Sequence, residues 1–230
     1  MKYILWDFDG TLAYREGKWA GALLEVVRRE HPKRQISASE LRPHLLSGFP
    51  WHTPERVRPP EQPADVWWAQ LEPVFASAFV KGAGFPQDEA RRLARLVREV
   101  YVDPKYWRVF DDTVECLERL RTEGWKHVIL SNHVPELPGI VSRLGFSPYV
   151  SAVYNSARLG VEKPNPEIFR RALADLAPYQ EVWMVGDNPV ADVAGAEAVG
   201  IPAILVRGTS PGVSRQAAAL SEVPALLRHG

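Results

Sequence analysis

The sequence predicts an α/β fold: a doubly wound parallel sheet whose first strand is separated from the others by a helical insertion. Two observations carry that expectation. An apolar strand, Tyr3 to Trp6, opens the chain, and about a hundred residues with almost no strand signal follow it. From about Pro104 onward short apolar strands alternate with helical patterns, which gives a parallel sheet with helices on both faces.

The elements of the insertion follow in order. "KWAGALLEVVRREHP" reads as a helix stopped by Pro32, with Leu23, Leu24, Val26 and Val27 on its apolar side. "SASELRPHLL" predicts a second helix with a serine at its cap position. "GFPWHTPERVRPPEQPAD" carries so many prolines that it must be loop or extended chain. Its His52, Arg56 and Arg58 are expected to be an ordinary polar loop rather than contacts to an anion. Helical patterns resume in "ADVWWAQLEPVFASAFV" and "PQDEARRLARLVREVYV". Trp67 and Trp68 diverge by about 100° on a helix. One is expected in the core of the insertion and the other at a substrate entrance.

In the second part, "DDTVECLERLRTEG" is a helix with acids at its start and Gly124 after its end. "HVILS" is a buried strand, "ELPGIVSRLG" a helix, "YVSAVYN" extended and "NPEIFRRALADL" a helix. "EVWMVGD", "VADVAGAEAVG" and "PAILV" then read as strand, helix and strand. Cys116 lies near Val114, Leu117 and Leu120 at helical spacing and reads as a small buried side chain.

Composition narrows the function classes. At 230 residues, one α/β core with a sizeable insertion fits the length. The 28 basic and 28 acidic residues cancel, which argues against nucleic acid or an anionic membrane as the main partner. No apolar run approaches the roughly 20 residues that cross a bilayer. "MKYILWDFDG" lacks the long apolar region of a signal peptide, so a cytoplasmic location is expected.

Ligands of such sheets bind at the carboxyl ends of the strands. Asp7 and Asp9 follow the first strand, Ser131 and Asn132 follow "HVILS", and Asp187 follows "VWMVG". With Asp192 alongside, four carboxylates in one crevice repel one another unless a cation lies among them. Oxygen ligands without a cysteine or histidine cluster point to a hard ion, Mg2+ before Zn2+. Such an ion takes a remaining oxygen from a phosphate, to which Ser131 and nearby amides would donate, while Lys163 offsets further charge. One aspartate then suits a nucleophile, and the other suits proton transfer to a leaving alcohol and from water.

Four stretches in this order, "DFDGT", "LSNH", "KPNPEIF" and "VGDNPVADVAGAEAVGIP", resemble the motifs of the haloacid dehalogenase superfamily. The resemblance implies a Rossmann-like core over residues 1–13 and 108–230, with residues 14–107 as a helical cap of the C1 type. "VWWAQLEPVF" and "YWRVFDDTVECLERLRTEGW" resemble, more loosely, the REG-2-like subgroup. Residue by residue it implies Asp7 as nucleophile and metal ligand, and Asp9 as general acid/base whose carbonyl also binds Mg2+. Thr11 would hold the loop at the substrate and orient Asp9, Ser131 and the Asn132 amide would bind phosphate, and Lys163 would steady the transferring group. Asp187 would ligate the metal directly and Asp192 through water. His133 and Asn188 depart from the usual residues, so the phosphate loop is expected to carry an extra side chain.

The implied activity is a Mg2+-dependent phosphatase acting on a small phosphorylated metabolite through an aspartyl-phosphate. A phosphomutase or a non-catalytic binding member is the alternative. Asp9 speaks against a dehalogenase, since a departing halide needs no proton. A monomer or homodimer is expected.

Overall fold

The computed structural model describes residues 1–228, which divide into two compact units. The first comprises Met1–Tyr14, Pro54–Glu61 and the chain from Arg108 onward; the second comprises Arg15–Thr53 and Gln62–Trp107. The Pro-rich residues 54–61 thus group with the sheet, although they lie within the helical stretch of the sequence.

The strands are β1 (Lys2–Trp6), β2 (Ala13–Arg15), β3 (Trp107–Val109), β4 (Trp125–Ser131), β5 (Val150–Asn155), β6 (Glu181–Gly186), β7 (Ala203–Val206) and β8 (Gln216–Ala217). Six of them form a sheet in the order β5-β4-β1-β6-β7-β8, and all its pairings are parallel. The uninterrupted apolar run of β1 is what a central parallel strand requires, because helices cover both faces. Tyr3 and Leu5 join one core with Val128, Leu130, Phe169, Met184 and Leu205. Ile4 and Trp6, on the alternate face, are equally buried.

Flanking helices run over Thr113–Thr122, Leu137–Arg143 and Pro166–Leu176, as the periodicity predicts. The predicted helix in "VADVAGAEAVG" opens instead as a wide π-type turn, Pro189–Ala194, before Gly195–Glu197. Asn188 caps it, its side-chain oxygen accepting from the Val190 and Ala191 amides, a sound use for an asparagine there. Cys116 is buried as expected, and burial pushes its thiol up to about 12.

Residues 54–61 form a strap fixed by backbone contacts. The Arg58 amide donates to the Gly160 carbonyl and the Glu61 amide to that of Arg158, both at 2.7 Å. Asn165 Nδ2 donates to the Pro54 carbonyl at 2.9 Å. A Cβ on Gly160 would lie 2.3 Å from the Arg58 oxygen, so this approach demands glycine.

The second unit is helical: Lys18–Glu30, Ala38–Leu41, Ala64–Ala69, Glu72–Ala83 and Gln87–Val102. Ser37 makes the expected cap, paired with Glu40. "ADVWWAQLEPVFASAFV" forms two helices rather than one, because Pro73 suits only the first turn of the second. Trp67 and Trp68 are both buried, which corrects the expectation that one faces a substrate entrance. Both directions from this short helix lead into packed side chains; Trp68 meets Trp19 and Tyr101 edge-on. Among the described residues no helix is long and apolar enough to cross a membrane.

Candidate active site

The site is built at the carboxyl ends of β1, β4 and β6. The Asp7 amide donates to the Val185 carbonyl at 2.9 Å, so Asp7 prolongs β1 alongside β6. The chain then turns sharply, with the amides of Thr11, Leu12 and Ala13 all reaching the Phe8 carbonyl. Gly10 makes the turn possible at φ +98°; a Cβ there would lie 2.3 Å from Asp187 Oδ2. Asp9 sits on this turn, half-buried, with one carboxylate oxygen enclosed by protein.

Three predicted residues meet on one atom. Ser131 Oγ donates to Asp7 Oδ1 at 2.7 Å, and Lys163 Nζ donates to the same oxygen at 2.8 Å. Lys163 Nζ also donates to Asp192 Oδ1 at 2.5 Å and to the Leu130 carbonyl at 2.8 Å. Asn132 grips the lysine's backbone: its Oδ1 accepts from the Lys163 amide at 2.7 Å, and its Nδ2 donates to the Lys163 carbonyl at 2.9 Å. The lysine is fully buried. Burial works against its charge, but the Asp192 and Asp7 carboxylates outweigh burial and hold it above the ordinary lysine value. It is therefore a fixed cation.

Asp7, Asp187 and Asp192 each bring one carboxylate oxygen to within 4.8 Å of the others. Burial pushes Asp192 up to about 6, and the charge of Asp7 adds to that. Asp192 lies so close to the chain that a Cβ on Gly186 would meet its Oδ2 at 2.1 Å. Three carboxylates that converge in this way form an all-oxygen set, which fits a hard divalent ion.

Thr11 is buried, but its hydroxyl makes no hydrogen bond among the described residues; its carbonyl is what is held. Arg207 Nε donates to that carbonyl at 2.8 Å while its Nη2 donates to Asp112 at 2.6 Å, with the guanidinium 3.6 Å over the Phe110 ring. The sequence reading missed Arg207, although its place directly after "PAILV", at the end of a strand, was a usable signal. His133 does add a side chain to its loop. Burial pushes it down to about 4, so it is a neutral ring, set edge-on to Phe8. Arg58 corrects the expectation of an ordinary polar loop: its side chain is only 10% exposed and lies 3.8 Å from Glu162. His52 and Arg56 are exposed.

The family model that matches residues 1–200 describes a haloacid dehalogenase-like hydrolase. The chain belongs to that family. Among its relatives, the phosphoserine phosphatase of Thermus thermophilus is 33% identical, over 92% of this chain and 91% of that protein. The mouse haloacid dehalogenase-like hydrolase domain-containing protein 3 is 32% identical, over 92% and 84%. The match to its human counterpart, 33% identical, spans 62% of this chain and only 56% of that protein. The Drosophila rhythmically expressed gene 2 protein, at 29%, is matched over 60% of its length. A 2-haloacid dehalogenase of Pseudomonas syringae superposes with TM-score 0.66 at 25% identity, covering 100% of this chain and 99% of that one. The magnesium-bound hydrolase YfnB of Bacillus subtilis shares the fold with TM-score 0.75 at 16% identity, over 98% of each chain. These likenesses place the hydrolase fold, and phosphatases stand among the relatives.

Proposed function

We propose that this hydrolase is a phosphomonoesterase acting on a small phosphorylated metabolite in the cytoplasm, with Asp7 as nucleophile. The observation that carries the reading is the double grip on Asp7 Oδ1 by Ser131 and Lys163, which aims one carboxylate while a second, Asp9, follows on the same turn. Asp7 would attack phosphorus and break the ester bond to the leaving alkoxide, which Asp9 protonates; Asp9 then takes a proton from the water that cleaves the aspartyl-phosphate. Lys163 offsets charge on the transferring group, and Ser131 with the neighbouring amides donates to its oxygens. Asn132 acts by fixing the lysine's backbone.

Asp7, Asp187 and Asp192, with the Asp9 carbonyl, would hold Mg2+, which supplies positive charge to the phosphoryl oxygens. The helical unit is proposed as the cap that selects substrate. The relatives named phosphoserine phosphatase and ribulose-1,5-bisphosphate 5-phosphatase support the phosphate class and suggest two substrates to try.

The test is phosphate release from a panel of phosphorylated metabolites including those two, with and without Mg2+, for the wild type and Asp7→Asn. Mg2+-dependent release that vanishes in the variant is expected. Equal release by Asp7→Asn would sink the nucleophile, and transfer between hydroxyls without release would turn the reading to a mutase.

A further inference from the structure

Glu162 immediately precedes Lys163, and the proposed chemistry gives it no part. Yet its side chain is 1% exposed and faces Arg58 Nη1 at 3.8 Å. A carboxylate buried that deeply is costly unless it is paired. The pair joins separate segments. Arg58 belongs to the strap of residues 54–61, whose backbone is bonded to Gly160 and Arg158 on the approach to Lys163. Ser156, whose hydroxyl hydrogen-bonds the Glu162 carboxylate, also accepts at Oγ from the His133 amide at 3.2 Å, on the loop that follows Ser131. One carboxylate therefore ties the strap, the lysine loop and the phosphate-side loop together.

We infer that Glu162 and Arg58 are positioning residues that keep Lys163 and the Ser131–His133 loop aligned for phosphoryl transfer. The inference rests on the phosphatase reading. It makes the Pro-rich strap part of the site's support rather than a passive connection.

The charges around Glu162 set how it titrates. Arg58 faces it from the strap and Lys163 from its own loop; Glu55 and Arg56 on the strap are exposed, and His133 is neutral. Burial raises Glu162 to about 7, against the opposing pull of Ser156, Arg58 and Lys163. A raised carboxyl ionises only as pH climbs through that value. The ion pair with Arg58 forms above about pH 7 and is lost below it.

The test combines pH profiles of kcat and KM for p-nitrophenyl phosphate with a carbon-13 titration of the glutamate carboxyls. It uses the wild type, Glu162→Gln, Arg58→Ala and Arg58→Lys. The wild-type kcat should step upward near pH 7, matching the resonance that disappears in Glu162→Gln. Because a misplacement of about 1 Å can cost roughly 100-fold, Glu162→Gln and Arg58→Ala should each lower kcat about tenfold, with KM little changed. Arg58→Ala should move the step and the resonance up by about one unit, since it removes a cation, and Arg58→Lys should restore most of both. If kcat profiles superimpose across the series while the resonance behaves as described, the positioning role is overturned and the phosphatase reading stands. An Arg58→Ala midpoint equal to the wild type's overturns the pairing itself. A wild type that releases no phosphate would instead overturn the phosphatase reading, and the positioning role with it, while the titration still reports the pair.

Discussion

Two cations in this molecule each sit between two carboxylates: Lys163 between Asp7 and Asp192, and Arg92 between Glu30 and Glu89. The distances barely differ, 2.8 and 2.5 Å for the first and 2.7 and 2.8 Å for the second. Exposure separates them. The Lys163 side chain is 1% exposed, while that of Arg92, in the helical unit, is 49% exposed. Around Arg92, water and salt screen the charges, and such pairs add little to stability. Around Lys163 no solvent compensates a lost partner, so each group fixes the charge and direction of the others. Burial, not pairing, sets the network at the proposed site apart from the one on the surface.

The largest effect should come from the buried network. Lys163→Met is expected to lower phosphate release at least about 1000-fold. Without Mg2+ it should also destabilise the fold by about 3–5 kcal/mol in urea unfolding, because Asp7 and Asp192 are left without their cation. A loss no greater than that of an Arg92 variant would mean that burial does not set the two networks apart.

His127 is buried too, but its two hydrogen-bond partners, Trp6 and the Leu117 carbonyl, are neutral. Trp6 Nε1 donates to its Nδ1 at 3.0 Å, so its Nε2 carries the proton and donates to the Leu117 carbonyl at 2.9 Å. Protonation would set an N–H against the tryptophan's N–H. Burial pushes this histidine down to about 4. A lowered histidine adds stability that is present above its unfolded value of about 6.5 and is lost as pH falls towards the folded one, here on the order of 3 kcal/mol. Unfolding free energies at several pH values between these limits should show that slope. His127→Phe should flatten it; an unchanged slope would assign it to other groups.

Arg92→Ala should have the smallest effect, barely moving the thermal midpoint, and added salt should shrink it further. A larger loss in thermal unfolding would mean that the exposed network matters as the buried one does.

Much of this was legible in the sequence because the fold puts polar residues where apolar strands end. Asp7 after "YILW", Ser131 after "HVIL" and Asp187 after "VWMVG" stand out for that reason alone. Lys163 was legible as a charge to set against a phosphate, but nothing in its neighbourhood predicts a lysine bonded to Asp7, Asp192 and the Leu130 carbonyl. Arg58 with Glu162, and Arg207 on the Thr11 carbonyl, are contacts between distant segments that leave no periodic trace. Trp67 and Trp68 misled because helical geometry gives the angle between neighbours, not what packs around a short helix.

Asp7 is proposed to carry the phosphoryl group during turnover. Rapid quenching during turnover, followed by borohydride, reduces an acyl phosphate to the alcohol, so peptide mass spectrometry should find homoserine at position 7. Steady phosphate release with position 7 always recovered as aspartate would contradict it.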